Sequence, residues 1–330
     1  MITSIGSFPF TGVDEAIDLI FSTCGEAPFW PQLPKRSPLE NMFSTFLEGT
    51  PCLVSDTEKN TVYMDTSQTD GIEKFYDDVG TDNTEAFRIT EMVAPGFYRF
   101  LERLKEIREG ARFIKCQITG PFSMGLGLKD HENASIIYNS AFYDIIKQTV
   151  HMKAKWMVNT IKAAYPEKDV IIFFDEPYMV SFGSAYVSVS KDDVVSALNE
   201  VTKGLNAKTG IHICANTDWS VPFDSNVGIV NYDAYTYLDT IFYYEDDLKR
   251  FLGRGGQIAP GIVPSIEEGL AASTFDSLKD IADQFRNKIR TVTGAAPSDD
   301  LIITTSCGLG SLTIEEAQKA MELLRSLDLR

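Results

Sequence analysis

Two segments of the sequence carry residue types that bind soft metal ions. The segment GIHICAN (210–216) carries His212 and Cys214 two positions apart, and TTSCGLGS (304–311) carries Cys307. On an extended strand, residues i and i+2 project from the same face, so His212 and Cys214 supply half of a tetrahedral zinc site. Cys307 ends another apolar run, and the glycines after it allow a tight turn close to a ligand. The pattern indicates a metal centre, with simple buried packing of these residues as the alternative.

The elements that must position these residues alternate along the chain. Short apolar runs are separated by amphipathic helical patterns, which is typical of parallel βα units. The predicted strands lie at 3–9, 111–121, 170–177, 210–216, 228–235, 255–264 and 301–310, with one more in the 50–65 region. The predicted helices lie near 135–165, 190–208, 244–253, 275–293 and 313–327.

About eight strands fit either a closed α/β barrel or a doubly wound open sheet. No G-x-G-x-x-G follows any predicted strand, and polar residues close most apolar runs at the C-terminal end, so the barrel is favoured. We expect residues 1–330 to form a single domain with a (β/α)8 TIM barrel fold. Residues 10–110 are less regular and include a Pro-rich loop at 29–38 and a predicted hairpin at 52–65, which we interpret as an elaboration at one mouth of the barrel.

Composition limits the classes of partner. The chain has 330 residues, a formal net charge of −17, 44% hydrophobic and 23% charged residues. This acidic balance argues against nucleic-acid binding and against a basic membrane patch. The N-terminal stretch lacks the pattern of a signal peptide, and five scattered cysteines argue against a disulfide framework. We therefore expect a cytoplasmic protein without a membrane segment.

A pair of carboxylates, Asp175 and Glu176, closes the apolar run VIIFFDEP (170–177). At a strand end, Asp175 either caps the following loop or faces a ligand. Glu176 is expected to point the other way from Asp175, because neighbouring side chains on a strand alternate.

Five short stretches, in this order and spacing, resemble the cobalamin-independent methionine synthases, within the larger group that contains uroporphyrinogen decarboxylase. They are IGSFP at 5–9, QITGP at 117–121, DEP at 175–177, HIC at 212–214 and SCGLGS at 306–311. The resemblance covers nearly the whole chain and corresponds to the C-terminal catalytic barrel of the longer two-barrel enzymes. It implies a methyltransferase that activates a thiol, with L-homocysteine as the substrate and methionine as the product.

This resemblance implies a zinc site and its ligands. In the family, the His and Cys of the H-x-C element and the late Cys bind Zn²⁺, which carries over to His212, Cys214 and Cys307. The family's fourth ligand is a Glu at the end of the next strand, where this sequence has Asp233 in NYDAY. An Asp side chain reaches one methylene less far than Glu.

The resemblance also implies residues that bind the amino acid. Asp175 corresponds to the family residue that binds the amino group of the substrate. Ser7 lies in the segment that holds the carboxylate. A second carboxylate near the amino group corresponds to Asp65.

Two departures from the family pattern bear on the methyl donor. Gly127 stands where the folate-dependent enzymes carry a Trp that stacks on the pterin, and IAPGIVPSIEE (258–268) lacks the His that protonates the folate leaving group. The other two histidines, His131 and His151, are interpreted as surface or packing residues. The missing second barrel points the same way. A methyl-corrinoid or a corrinoid protein is therefore the expected donor, because cobalt leaves without needing a proton.

Three alternatives remain open from the sequence. Another small thiol such as coenzyme M is one, although a sulfonate would be repelled by Asp175. The others are a metal-free enzyme of the uroporphyrinogen decarboxylase type and a non-catalytic binding barrel.

Overall fold

A computed structural model describes residues 1–56, 61–294 and 301–328 of the chain, except for the Asp56 side chain. These residues form an α/β fold with nine strands. In chain order the strands are β1 Leu53–Asp56, β2 Thr61–Met64, β3 Phe113–Thr119, β4 Lys129–Asp130, β5 Asp169–Asp175, β6 Lys208–Ile213, β7 Ile229–Asp233, β8 Gln257–Val263 and β9 Thr304–Thr305.

The main sheet is parallel and contains six strands in the order β3-β5-β6-β7-β8-β9. All these strands therefore end at the same edge of the sheet. The residues of these strands are almost all buried and are rich in Ile, Val and Phe, as expected for a parallel sheet covered on both faces.

Two extended segments lie beside this sheet through single parallel bridges. Ile2 pairs with Ile303 next to β9, and Phe29 pairs with Lys115 of β3. The same two segments also pair with each other, at Ser7 and Gln32. The regular sheet thus has six strands where the sequence predicts about eight, and a fully closed barrel stays a prediction. The single-domain organisation over 1–330 likewise stays a prediction.

Thirteen α-helices are described, most of them between successive strands of the main sheet. They are α1 Val13–Thr23, α2 Ser44–Leu47, α3 Ile72–Gly80, α4 Pro95–Arg103, α5 Pro121–Gly127, α6 Ser140–Ala164, α7 Lys191–Thr202, α8 Ser220–Asp224, α9 Ala234–Tyr237, α10 Glu245–Gly253, α11 Glu267–Ala272, α12 Phe275–Thr293 and α13 Ile314–Ser326. α13 begins with a capping box, in which Thr313 and Glu316 each bond the other's backbone N–H. No helix within the described ranges is long and apolar enough to cross a membrane.

The predicted hairpin at 52–65 is confirmed in its two strands. β1 pairs antiparallel with β2, and β2 pairs parallel with the short β4. The tip of the hairpin, residues 57–60, lies outside the described residues. β1, β2 and the loop before them lie in the irregular region 10–110 that the sequence predicts, whereas β4 follows β3 in the chain.

Candidate metal centre

His212 and Cys214 lie at the carboxyl end of β6. Register places His212 between Asp175 of β5 and Asn231 of β7. β6 ends at Ile213, so Cys214 stands one residue beyond the strand. Cys307 stands two residues beyond β9.

The three predicted ligands from these strands meet at one point. The ligand atoms of His212, Cys214 and Cys307 all lie within 4.8 Å of one another, and this is the one such group of three found among the described residues. His212 is buried, and the two cysteines are half-buried free thiols. One imidazole nitrogen and two thiol sulfurs form a donor set typical of zinc.

The orientation of the His212 ring fits a metal. Its Nδ1 atom lies 2.5 Å from the Asn231 side-chain oxygen. Its Nε2 atom is buried and has no hydrogen-bond partner among the described residues. A buried polar atom without a partner costs about 1–3 kcal/mol, so a ligand at Nε2 would remove a real penalty.

The two thiols differ in acidity. A hydrogen bond from the Cys307 thiol lowers the pKa of Cys214, and the neighbouring His212 lowers it further. The same hydrogen bond raises the pKa of Cys307. Cys214 is therefore the first of the pair to ionise, and a thiolate is the form that binds a metal.

The three ligands face a cavity of about 290 Å³, which is also lined by Ser7 and Asp175. The segment after α1 also lines this cavity, through Gln32, Glu40 and Asn41. Sequence reasoning assigned no role to these three residues. The Pro-rich composition of 29–38 was the available signal that this loop covers the mouth.

The neighbouring carboxylates Asp175 and Glu176 have opposite environments. Asp175 Oδ1 is buried without a hydrogen-bond partner among the described residues, and burial raises the pKa of Asp175 to about 6. Glu176 is fully buried and accepts hydrogen bonds from the backbone N–H of Phe122 at 3.0 Å and Ser123 at 2.6 Å, at the start of α5. The expectation that the two side chains diverge agrees with these contacts. Asp175 faces the cavity, and Glu176 anchors a helix.

Ser7 reaches the cavity through close packing against the loop after β9. The backbone N–H of Leu309 donates to the Ser7 carbonyl at 2.8 Å. A Cβ atom on Gly308 would lie 2.0 Å from Ser7 Oγ, so a side chain at this position would displace the Ser7 hydroxyl. The glycine after Cys307 therefore lets this hydroxyl lie against the loop.

Asp233, the predicted fourth ligand, does not join the group of three. Its carboxylate accepts a hydrogen bond from the Thr236 N–H at 2.9 Å and caps α9. Burial raises the pKa of Asp233, while the nearby His212 lowers it, so the carboxylate is close enough to sense the site. Three of the four predicted ligands come together in this structure.

Asp65 does not line the cavity. It follows β2, and its carboxylate accepts hydrogen bonds from Ser67 and Gln68 within its own turn. These bonds lower the pKa of Asp65. The His131 ring nitrogen Nδ1 lies 3.7 Å from an oxygen of this carboxylate. The structure thus gives Asp65 a local structural contact and brings it to none of the other predicted site residues.

The space beside Gly127 is filled by an aromatic ring from a distant segment. A Cβ on Gly127 would lie 2.6 Å from the Phe43 ring, which makes an edge-to-face contact with Tyr178. Sequence reasoning found no aromatic replacement near 127, because Phe43 lies far away along the chain. Phe43 also lines a second cavity of about 530 Å³ that shares Asn41 with the first.

Comparison with solved structures defines the class of fold. The chain is similar to a methyltransferase from Methanosarcina mazei, with a TM-score of 0.60, 15% identity, and coverage of 98% of this chain and 92% of that one. It also matches a B12-independent methionine synthase from a Shewanella species in complex with selenomethionine. That match has a TM-score of 0.46 and 22% identity, and covers 69% of this chain and 64% of that one. The chain therefore has an α/β fold of the kind seen in a known methyltransferase.

Sequence comparison finds one curated protein to which the chain is similar. A methionine synthase from Saccharolobus solfataricus is 25% identical over 205 residues, which are 61% of this chain and 53% of that protein. The chain spans about half the length of that relative, and no protein-family model matches it. The predicted resemblance is confirmed at the level of similarity: the chain is similar to a methionine synthase.

Proposed function

We propose that this chain is a zinc-dependent methyltransferase that methylates the sulfur of a small thiol, with L-homocysteine as the acceptor and methionine as the product. The observation that carries the proposal is the meeting of His212, Cys214 and Cys307 on the wall of a cavity that also presents Asp175 and Ser7. The relation to a methionine synthase supports the reaction class.

His212, Cys214 and Cys307 would hold the metal. Three protein ligands with a further position open are typical of catalytic rather than structural zinc sites. Asp233 remains the proposed fourth ligand, and it would have to give up its bond to the Thr236 N–H. Bound zinc would lower the pKa of an incoming thiol, which otherwise has a pKa of about 8.5 and is a weak nucleophile at neutral pH.

The protein residues would orient the amino acid. Asp175 would accept hydrogen bonds from the substrate ammonium group through Oδ1, which has no partner among the described residues. Ser7, pressed against the Gly308 loop, would hold the substrate carboxylate. In the transfer, the acceptor sulfur forms a bond to the methyl carbon, and the bond from carbon to the donor breaks with its electron pair on the donor. The thiol proton is released before this attack.

We favour a methyl-corrinoid, free or on a corrinoid protein, as the donor over methyltetrahydrofolate. Support comes from Gly127 in place of a Trp and from the lack of a His in 258–268. The Phe43–Tyr178 pair beside Gly127 gives methyltetrahydrofolate a specific observation in its favour, because aromatic rings can stack on a planar donor. Both donors therefore belong in the test.

The complete fold that we propose is an eight-stranded barrel. The six-stranded sheet runs from β3 to β9, and the segments around Ile2 and Phe29 connect β9 back to β3 through parallel bridges. Such a ring brings all strand ends to one mouth.

The free cysteines fit the reducing conditions of the cytoplasm, which is the proposed location.

The test combines metal analysis with methyl-transfer assays on the full chain. We expect one zinc per chain and transfer to homocysteine from methylcobalamin. Coenzyme M is the acceptor control, because the Asp175 carboxylate repels its sulfonate. Turnover with methyltetrahydrofolate but not methylcobalamin would overturn the donor proposal, while a protein that binds no zinc would overturn the metal centre.

A further inference from the structure

Asn231 is a fully buried amide in the middle of the polar strand ends. It lies on β7 directly beside His212 of β6, with no exposed surface. Its side-chain nitrogen lies 2.6 Å from the Ala259 carbonyl oxygen of β8 and 2.8 Å from Thr304 Oγ1 of β9. One side chain therefore connects four neighbouring strands.

The directions of these hydrogen bonds are fixed by chemistry. The Ala259 carbonyl can only accept. The Thr304 hydroxyl donates to the Thr305 carbonyl at 2.8 Å, so its oxygen is left to accept. Both N–H bonds of the Asn231 amide are thereby used. A flipped amide would place its oxygen against the Ala259 carbonyl oxygen, two acceptors facing each other, and is excluded.

The protonation of His212 follows from this arrangement. Asn231 Oδ1 faces His212 Nδ1, and an amide oxygen can only accept, so Nδ1 must carry the proton. The neutral ring then has its lone pair on Nε2, the buried atom that has no partner among the described residues. Without this acceptor, the ring would be free to protonate at Nε2 and would present no lone pair to a metal.

We infer that Asn231 is a positioning residue, which fixes the tautomer and the ring plane of His212 so that Nε2 is presented as a metal ligand. This inference rests on the proposed metal centre. Hydrogen-bonded partners of this kind orient histidine ligands, and their loss lowers metal affinity by roughly 10- to 100-fold. The same amide also connects β6, which carries His212, to β9, which precedes Cys307. It therefore helps to hold the histidine ligand and the Cys307 ligand in position relative to each other.

The test is zinc affinity of the full chain, measured by competition with a chromophoric chelator. In N231L, the loss of the acceptor should weaken zinc binding by roughly 10- to 100-fold. In N231D, a carboxylate still accepts from Nδ1–H, but its other oxygen faces the Ala259 carbonyl oxygen, so the zinc affinity should lie between those of N231L and the wild type. T304V is the matched control, because it perturbs the same layer but leaves the bond between Asn231 and His212 intact.

A second measurement separates positioning from general loss of stability. In metal-free protein labelled with ¹⁵N-histidine, the three histidines allow the His212 ring to be followed by long-range NMR correlations at alkaline pH. We expect a proton on Nδ1 in the wild type and in T304V, and its loss from Nδ1 in a fraction of N231L.

Several outcomes would overturn the inference. These are wild-type zinc affinity in N231L, an equal loss in T304V and N231L, or a wild-type His212 ring protonated at Nε2. The proposed function fails in a different way, since in that case the wild-type chain itself binds no zinc. The NMR result then still decides the tautomer.

Discussion

Two buried polar atoms on the cavity wall lack hydrogen-bond partners among the described residues. The buried polar groups of the residues that support this wall all have partners. On the wall, Asp175 Oδ1 and His212 Nε2 have no hydrogen-bond partner among the described residues. In the supporting residues Glu176, Asn231 and Thr304, the buried side-chain groups are all paired. The unpaired atoms on the wall raise the free energy of the folded protein, and a bound ligand would remove this cost. The hydrogen bonds of the supporting residues hold the wall in place.

Lack of a partner does not by itself mark a site. Trp30 Nε1 and Lys153 Nζ are also buried without a partner among the described residues, yet neither lines the cavity. What distinguishes Asp175 and His212 is that both lie on one cavity together with two thiols. Substitutions on the wall should therefore change binding more than stability, and substitutions in the supporting residues should do the reverse.

The largest expected effect is the loss of a metal ligand. Cys307→Ser should reduce zinc affinity by roughly a thousandfold or more, since a thiolate is replaced by a hydroxyl that stays protonated. Methyl transfer should fall with it, measured with homocysteine at saturating donor. Cys116→Ala is the matched control, because Cys116 is a fully buried thiol of the core. Equal zinc loss in both variants would contradict the assigned ligands.

A smaller effect is expected at the proposed ammonium site. Asp175→Asn should raise KM for homocysteine by about a hundredfold, or about 2–3 kcal/mol, because the substrate ammonium loses its charged partner. The free energy of unfolding should not fall, since Asp175 Oδ1 is buried without a hydrogen-bond partner among the described residues. Urea unfolding and steady-state kinetics measure the two effects. An unchanged KM, or a destabilised protein, would assign Asp175 to structure instead.

Glu176 should show the opposite behaviour. Burial raises the pKa of Glu176 from 4.5 to about 7 in the folded state. Between these values the unfolded chain loses the proton and the folded chain keeps it, so the unfolding free energy falls as pH rises. The fall has an upper limit of about 3 kcal/mol. Urea titrations from pH 4.5 to 7 should show a steeper fall in the wild type than in Glu176→Gln. Asp175, whose pKa is also raised by burial to about 6, contributes a fall to both proteins. A parallel pH dependence in both proteins would refute it.

The smallest effect is expected at Asp65. Asp65→Asn should leave kcat and KM within about twofold, because the carboxylate is used by Ser67 and Gln68 in its own turn. The unfolding free energy should change little, because these hydrogen bonds are exposed to water. A hundredfold loss of activity would return Asp65 to the proposed substrate site.

Local pattern was sufficient to predict most of the main sheet. The strands predicted at 170–177 and 255–264 appear as β5 and β8 because their apolar runs are bounded by polar or glycine-rich turns. The strand predicted at 301–310 is shortened to β9, since the backbone turns away at Cys307 and the following glycines. Strand ends were therefore harder to predict than strands.

The candidate site was predictable where the strand itself positions the residue. His212, Cys214 and Cys307 come together because parallel strands end at one edge. The contact of Phe43 with Gly127 depends on how a long loop folds back, and nothing in either local sequence shows it. Asn231 left a readable signal, a lone amide inside the apolar run IVNYD, on the face shared with Asp233. The alternation of side chains along this strand does not show that Asn231 contacts His212.

The close packing of Ser7 against Gly308 has a consequence for synthesis of the protein. The ribosome makes the N-terminal wall of the cavity first and the Cys307 loop long afterwards. Until that loop emerges, His212 and Cys214 form an incomplete pair, with one thiol exposed to oxidation or to competing metal ions. Completion of the site thus coincides with the contact between the early and late segments of the chain, and metal loading in the cell would report that the fold has closed.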